Sequence, residues 1–517
     1  MSGAMRGEIR IFVRRTDCAD PPPMFSTERL LRRLECLPMV KLLLPFAAGI
    51  LLAGPFTLPL WFAAGAFVLC GVVALLLRAV PALGAMLLTA GFAAAQLHER
   101  PVTVPRGVVT LWELDVAEAP ADRGRYTVAD AGVRAWRDPA SGRWHAVRER
   151  VRLYADSALS LGGGERLVCR AALRDFRGGA ASYRRLMHRR GYAGTLWVGP
   201  ATLLDAAPVP APDLHLRASA CLGRLPLRGE ASAVVRAMAA GDRSGITAEL
   251  RTAYSRSGFS HLLAVSGLHT GILFALVNLL LVWMPLLRGG HLLRSLAVIA
   301  AVWCFVAAAG FPPSAVRAAV MCTLLQAALV ASSAYVALNA LAAAAFGMLL
   351  WNPAWIGDIS FSLSFLAVAG ILVWGVPLCR RLRIRRRAVR LVAEAYLIGL
   401  SATVATAPLV AHTFGLVPLA GVLLNPVAIL LATVVVFGGV VWMLLPAAWL
   451  APIAALPVGA AAEGINALAR WVAAMPRGVA EATLGAGWTA AVYLLYLLVT
   501  LLAWSYEPKK RLFLFRQ

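Results

Sequence analysis

The stretch 257–269, which reads Ser-Gly-Phe-Ser-His-Leu-Leu-Ala-Val-Ser-Gly-Leu-His, holds the residues best placed for chemistry. On a straight helix the eight residues between His261 and His269 span about 12 Å, too far for the two to share one ion. Ser266 and His269, at i and i+3, can touch. The Gly-x-Ser-x-Gly pattern of a nucleophile elbow is absent, so the pair does not read as a hydrolase. None of the eight histidines lies in an HExxH-type pattern, and no metal or cofactor is expected. The only lysines are Lys41, Lys509 and Lys510, which excludes a phosphate-binding loop of the Gly-x4-Gly-Lys-Ser/Thr type. The chain therefore reads as non-catalytic, and uphill work must come from a gradient, another protein or trapping on the far side.

Polar side chains inside apolar runs are the larger signal. His261, Ser266, His269, Arg317, Gln326, Asn339, Asp358, Ser362, Glu394, His412, Asn425, Glu463, Asn466 and Arg470 all sit in or beside such runs. Singly, each suits inter-helix glue; together they favour a wet passage, because polar groups are expensive in hydrocarbon. Backbone breakers accompany them: Gly258 and Gly267 flank the polar stretch, and Asn425-Pro426 interrupts an otherwise continuous apolar helix. Gly310-Phe311-Pro312-Pro313-Ser314 reads as a helix start with Arg317 in its first turn. That end is either an anion-attracting mouth or the site of an arginine snorkelling to lipid phosphate.

The elements that must position these groups follow from composition. Of 517 residues, 60% are hydrophobic and 15% charged, which excludes an ordinary soluble protein and predicts a polytopic α-helical membrane protein. About twelve spans are expected, near 39–54, 58–77, 82–97, 259–286, 291–309, 314–332, 335–350, 359–378, 392–411, 420–445, 449–474 and 485–504. The short third and seventh spans and the polar 259–270 are the ones that could be re-entrant. Residues 1–37 and 505–517 then form cytoplasmic tails, 38–97 the first three spans, 98–218 an extracytoplasmic domain, and 219–504 the main membrane domain. The loop 380–390 carries seven arginines and no acid, and by this count falls inside, as the positive-inside rule demands. Much of the net charge of +24 is then orienting charge and proves no ligand. The eight cysteines form no CxxC pair, and Cys70, Cys304 and Cys322 read as small buried hydrophobes.

Residues 98–217 hold nineteen Arg against thirteen Asp and Glu. Five β-favouring runs, 107–116, 126–136, 144–154, 166–174 and 192–203, suit a small β-barrel of OB-like fold, with a helical piece at 183–190. Trp112, Tyr126, Trp136, Trp144 and Tyr154, with Arg184, Arg185, Arg189 and Arg190, could stack bases and track phosphate. The plain alternative is core aromatics and a solvated basic face.

The blocks Gly241-Asp242-Arg243-Ser244, Ser257 to His269, Gly310 to Arg317, Leu338-Asn339-Ala340-Leu341, Phe361-Ser362-Leu363-Ser364-Phe365 and Asn425-Pro426 resemble the signature of the ComEC family, over about residues 38 to 504. That resemblance implies an inner-membrane channel that passes single-stranded DNA into the cytoplasm during natural transformation. His261, Ser266, Gly267, His269, Arg317, Asn339, Asp358 and Asn425 would then line or gate the path, and Asp242, Arg243, Gly258, Pro312 and Pro313 would serve structure. It also implies a cytoplasmic helicase-like ATPase, single-strand-binding proteins and a separate nuclease as partners. Two departures stand out: the chain stops at Gln517 without the family's metallo-β-lactamase-like domain, and Val336 occupies the place of a family acid. The rival readings are a transporter of a smaller anionic or lipid-linked substrate and a membrane scaffold with a partner-binding outer domain.

Overall fold

The computed structural model describes residue 35 and residues 37–505, except for short internal stretches of which 177–183 is the longest. Most of both expected tails lies outside the described residues, as do Arg185, Arg189 and Arg190. Three helices come first: α1 (Pro38–Leu52), α2 (Leu60–Leu77) and α3 (Val80–His98). Gly49 of α1 faces the Leu88 carbonyl and Gly91 of α3 faces the Phe46 carbonyl, so each glycine lets the two backbones touch.

After an inserted sheet the chain returns as short helices α4 (Leu214–Gly223), α5 (Gly229–Ala240) and α6 (Ala248–Ser257), then α7 (Gly267–Leu280), α8 (Gly290–Ala308), α9 (Pro313–Val330) and α10 (Ala337–Trp351). The long helices α11 (Ile359–Arg381), α12 (Arg387–Phe414), α13 (Ala420–Leu444), α14 (Ala451–Ala473) and α15 (Ala486–Ser505) follow. From Ala490 onward α15 belongs to a unit distinct from Leu37–Thr489.

Among the described residues, eight helices are long and apolar enough to cross a membrane, while α1, α7 and α10 are apolar but shorter. The clearest departure is 259–286. Gly258 ends α6 in the left-handed conformation at φ 81°, a 3-10 turn covers Phe259–His261, and α7 begins only at Gly267. At Asn425-Pro426 the opposite holds: α13 runs unbroken through Pro426. Tyr396 donates from its hydroxyl to the Leu423 carbonyl at 2.8 Å, in the turn where the proline removes a helical N–H.

The sheet comprises β1 (Val109–Val116), β2 (Ala121–Asp122), β3 (Tyr126–Arg137), β4 (Trp144–Asp156), β5 (Glu165–Ala172), β6 (Tyr192–Val198) and β7 (Leu203–Pro208). Its order is β6-β4-β3-β1-β5-β7, antiparallel except for the parallel β4–β6 pair. The expected closed barrel is not formed. Arg174, just past β5, meets Thr195 of β6 in one isolated bridge, and the ladder stays open there. The expected last run splits at Gly199 into β6 and β7.

Inward residues alternate along each strand, and Trp112, Leu114, Leu153, Leu167 and Leu196 form the sheet's core. Trp112 is fully buried and donates from Nε1 to the Ala171 carbonyl at 2.8 Å. Trp112→Ala is expected to destabilise this domain by about 3–5 kcal/mol, whereas Trp144→Ala at the exposed hairpin end should cost under about 0.5 kcal/mol. Limited proteolysis of the two variants in membranes checks the contrast.

Candidate functional site

Three separated segments meet at one end of the helical domain. Gly241 ends α5 at φ 78°, and its missing side chain leaves room for the Ala309 carbonyl at the close of α8. The next residue, Asp242, is buried and accepts hydrogen bonds from the Ser219 hydroxyl, the Ser244 N–H (3.0 Å) and the Ser244 hydroxyl (2.6 Å), with Arg236 at 3.7 Å. Arg243 donates from Nε to the Leu263 carbonyl at 3.1 Å, and Ser314 donates to the Val265 carbonyl at 2.7 Å. The backbone between α6 and α7 is thus pinned from both sides. His215, in the first turn of α4 and just after the sheet, donates from Nδ1 to the Ala308 carbonyl at 3.0 Å, which puts this end of α8 beside the exit from the sheet domain.

The pinned segment holds an unmatched hydrogen-bonding group. The Ser266 N–H donates to His269 Nδ1 at 3.3 Å, so the neutral imidazole carries its proton on Nε2. His269 is 0% exposed, and among the described residues its Nε2 has no hydrogen-bond partner. Arg317 is 6% exposed, and its guanidinium fills the place that a side chain at Gly267 would take. Its Nε donates to the Ser364 hydroxyl at 2.9 Å, Nη1 lies 3.7 Å from Met321 Sδ, and the group sits 5.7 Å from the Phe365 ring centre. Among the described residues no carboxylate pairs with it. Arg317 lies in the second turn of α9 where the first was expected, and it is buried against α7 and α11 instead of reaching out to lipid phosphate. Removing a charge from water without a counter-ion costs several kcal/mol, by order of magnitude. A cation at a helix start, beside an imidazole N–H without an acceptor, leaves the site complementary to an anion.

The other candidates divide. His261 is exposed and donates from Nδ1 to the Gly258 carbonyl at 3.0 Å. Asn425 shares a face of α13 with Gly421, which packs on the Ser257 carbonyl, and its buried Oδ1 has no partner. Asn339 is half-buried in the first turn of α10. Asp358 caps α11, accepting from the Ser360 N–H at 2.7 Å. Pro312 caps α9 and Pro313 opens it, below Phe311, which holds a positive φ of 55°.

Several polar groups are tied off locally. Gln326 joins Ser295 and Asn278, Tyr254 donates to Asn466 at 2.7 Å, Arg470 pairs with Glu230, Glu394 pairs with Arg390, and His412 meets the Leu484 carbonyl. The polar groups of the helical domain therefore divide into local ties and one shared node. The node also uses Ser314 and Ser364, which the sequence marked only as parts of motif blocks, and Ser219, which it did not mark.

In the sheet domain, Trp112 is core and offers no face to a ligand. Tyr126 and Tyr154 instead group with Trp197, an exposed residue missing from the expected set. Trp136 stacks on His145 at 5.0 Å, Trp144 is exposed, and Arg184 is helical and exposed. Cys169 is buried, which pushes its thiol up to about 12.

His188 meets the Tyr192 carbonyl through Nδ1 at 2.9 Å and Asp175 through Nε2 at 3.0 Å, tying the helical piece to β6. Burial alone would raise the Asp175 carboxyl, but the Phe176 N–H, His188 and Arg106 outweigh it and hold the group below the usual carboxylate range. Its contribution is therefore present above the unfolded value of about 3.9 and fades as pH falls through the folded one. Acidification through that range is expected to speed hydrogen exchange in Tyr192–Val198, and Asp175→Asn should remove the dependence.

The model of the family described as Competence protein matches residues 238–507, which hold the node from Asp242 through Ser364 but neither Ser219 nor the sheet. A relative, ComE operon protein 3 of Bacillus subtilis (strain 168), is 31% identical over 136 residues, 26% of this chain and 17% of that protein. The chain thus aligns with less than a fifth of that relative's length. No solved structure matches.

Proposed function

The chain belongs to the Competence protein family, and from that premise we propose that it passes DNA, as a single strand, through the helical domain into the cytoplasm during uptake. The observation that carries this reading is the buried Arg317 without a carboxylate, set against the start of α7 and the His269 N–H. A phosphodiester supplies what those donors lack, and the node lies where the sheet domain hands over to the bundle. In this reading His261, Ser266 and Asn425 flank the path, Asn339 stands further along it, and the Asp242–Arg243 turn holds the segment in place.

The basic stretch 380–390 joins α11 to α12, at the end of α11 opposite Ser364. With that stretch in the cytoplasm, the node and the sheet domain lie on the outer side of the inner membrane. The strand order with its single parallel pair supports an OB-like reading of the sheet. With no phosphate-loop motif in 517 residues, energy comes from a partner, read here as a cytoplasmic ATPase, with single-strand-binding proteins holding the product. A separate nuclease supplies the single strand. A second reading, carriage of a smaller anion, draws on the same single buried cation.

Deletion of the gene is expected to leave labelled DNA bound at the cell surface and to stop its arrival in the cytosol. Unchanged transformation would remove the proposal, and loss of a small anion's transport with normal DNA arrival would favour the second reading.

A further inference from the structure

Three aromatic side chains of the sheet domain lie outside its core. Along β4 and β6 the residues Leu153, Ala155, Leu196 and Val198 point inward, so Tyr154 and Trp197 point outward. The two are direct partners across the parallel pair, with ring centres 6.5 Å apart and planes 14° from parallel. Tyr126 of β3 completes a triangle, 5.7 Å from Tyr154 and 6.2 Å from Trp197. Trp197 is 52% exposed, so the cluster offers an apolar surface that packing leaves open, with the Tyr126 ring tilted 52° and 58° to the other two.

Charge beside it is not evenly matched. Arg152 is held by Asp130 at 3.3 Å, whose other oxygen accepts the Tyr192 hydroxyl at 2.6 Å. Arg148 and Arg150, on the same outward side of β4, are exposed and take part in no ion pair among the described residues. Arg148 also lines a groove of about 540 Å³ with Glu113 and Arg134. A neutral glycan would need free acceptors for its hydroxyls; the Asp130 carboxylate is already taken, and Asp156, the cross-strand partner of Tyr126, turns Oδ1 to the Ala158 N–H at 3.0 Å. Arg150 and Arg148 stand four and six residues from Tyr154 along β4, about 13 and 20 Å away, and open cations in line with exposed rings suit a chain with both bases and phosphates.

The geometry points to the Trp197–Tyr154–Tyr126 triangle as a base-stacking platform for single-stranded nucleic acid, with Arg150 and then Arg148 meeting phosphates further along β4. The substrate class rests on the function proposed above; the site does not include the buried node. Base–aromatic stacking tolerates any sequence, as uptake of arbitrary DNA requires.

The test uses the full chain in lipid nanodiscs and the anisotropy of a fluorescein-labelled oligothymidylate. Trp197→Ala is expected to weaken binding about tenfold, with Trp197→Phe retaining most of the affinity. Arg150→Gln should lower the slope of log affinity against log salt by about 0.7. Trp144→Ala, exposed but outside the triangle, should bind as wild type. Unchanged affinity in Trp197→Ala, or tighter capture of a neutral chito-oligosaccharide than of the oligonucleotide, overturns the platform. If the platform fails while the wild-type chain still delivers DNA in cells, the proposed function stands. If the deletion leaves uptake intact while Trp197→Ala loses binding, the platform stands and the proposed function falls.

Discussion

Cells carrying Arg317→Gln are expected to deliver about ten to a hundred times less labelled DNA to the cytosol than wild-type cells, with equal amounts of the protein in the membrane. A charge-assisted hydrogen bond is worth about 1.5–3 kcal/mol, and each 1.4 kcal/mol is a factor of about ten. Glutamine keeps much of the volume and a donor for the Ser364 hydroxyl but has no charge to offer a phosphate. If Arg317 only braces helices, uptake in Arg317→Gln stays near wild type, since its contacts on the protein side are the Ser364 hydroxyl, the Met321 sulfur and the Phe365 ring. Arg317→Lys should fall between the two, because a point charge cannot reproduce the planar fork.

The second large effect is expected from Gly267→Ala. The guanidinium of Arg317 occupies the space of the missing Cβ, with Ala318 Cβ at 3.5 Å behind it. One added methyl must therefore displace a buried cation. Overpacking of this kind costs about 1–3 kcal/mol, and dislodging the charge from its partners adds to that. Uptake should be lost, and the purified chain should unfold at lower temperature. Gly271→Ala is the control one turn later in α7: nothing lies within 4 Å of its Cβ, so the change should be neutral or slightly stabilising. Equal behaviour of the two variants would separate Arg317 from the start of α7.

How much of this was legible in the chain depended on whether the cause was local. Gly258 stops a helix because a left-handed residue is needed there, and Ser266 and His269 meet because i and i+3 are neighbours; both are local facts. Arg317 was identifiable as costly, but not its seat on Gly267, since that contact spans fifty residues and depends on how α7, α9 and α11 cross. Ser362 was marked as a polar group in an apolar run and Ser364 only as part of a motif block, although it is Ser364 that reaches the guanidinium; two residues apart on a helix, they face different sides. The break expected at Pro426 failed because neighbouring helices can absorb a lost backbone bond. In the sheet, the period-2 pattern located strands but could not tell core Trp112 from exposed Trp197. Register decides which face is inside, and that is set across strands.

The helix α5 bears on how the molecule is made. Its residues Val234, Val235, Ala237, Met238, Ala239 and Ala240 are fully enclosed, and Ala239 touches Gly439 of α13, two hundred residues later in the chain. At roughly 5–20 residues per second, the ribosome takes about 10–40 s to supply that cover. During that interval the young polypeptide carries a sticky, unclad segment too short to insert by itself. Truncations ending before α13 should be cleared by quality-control proteases, whereas those ending after α14 should persist.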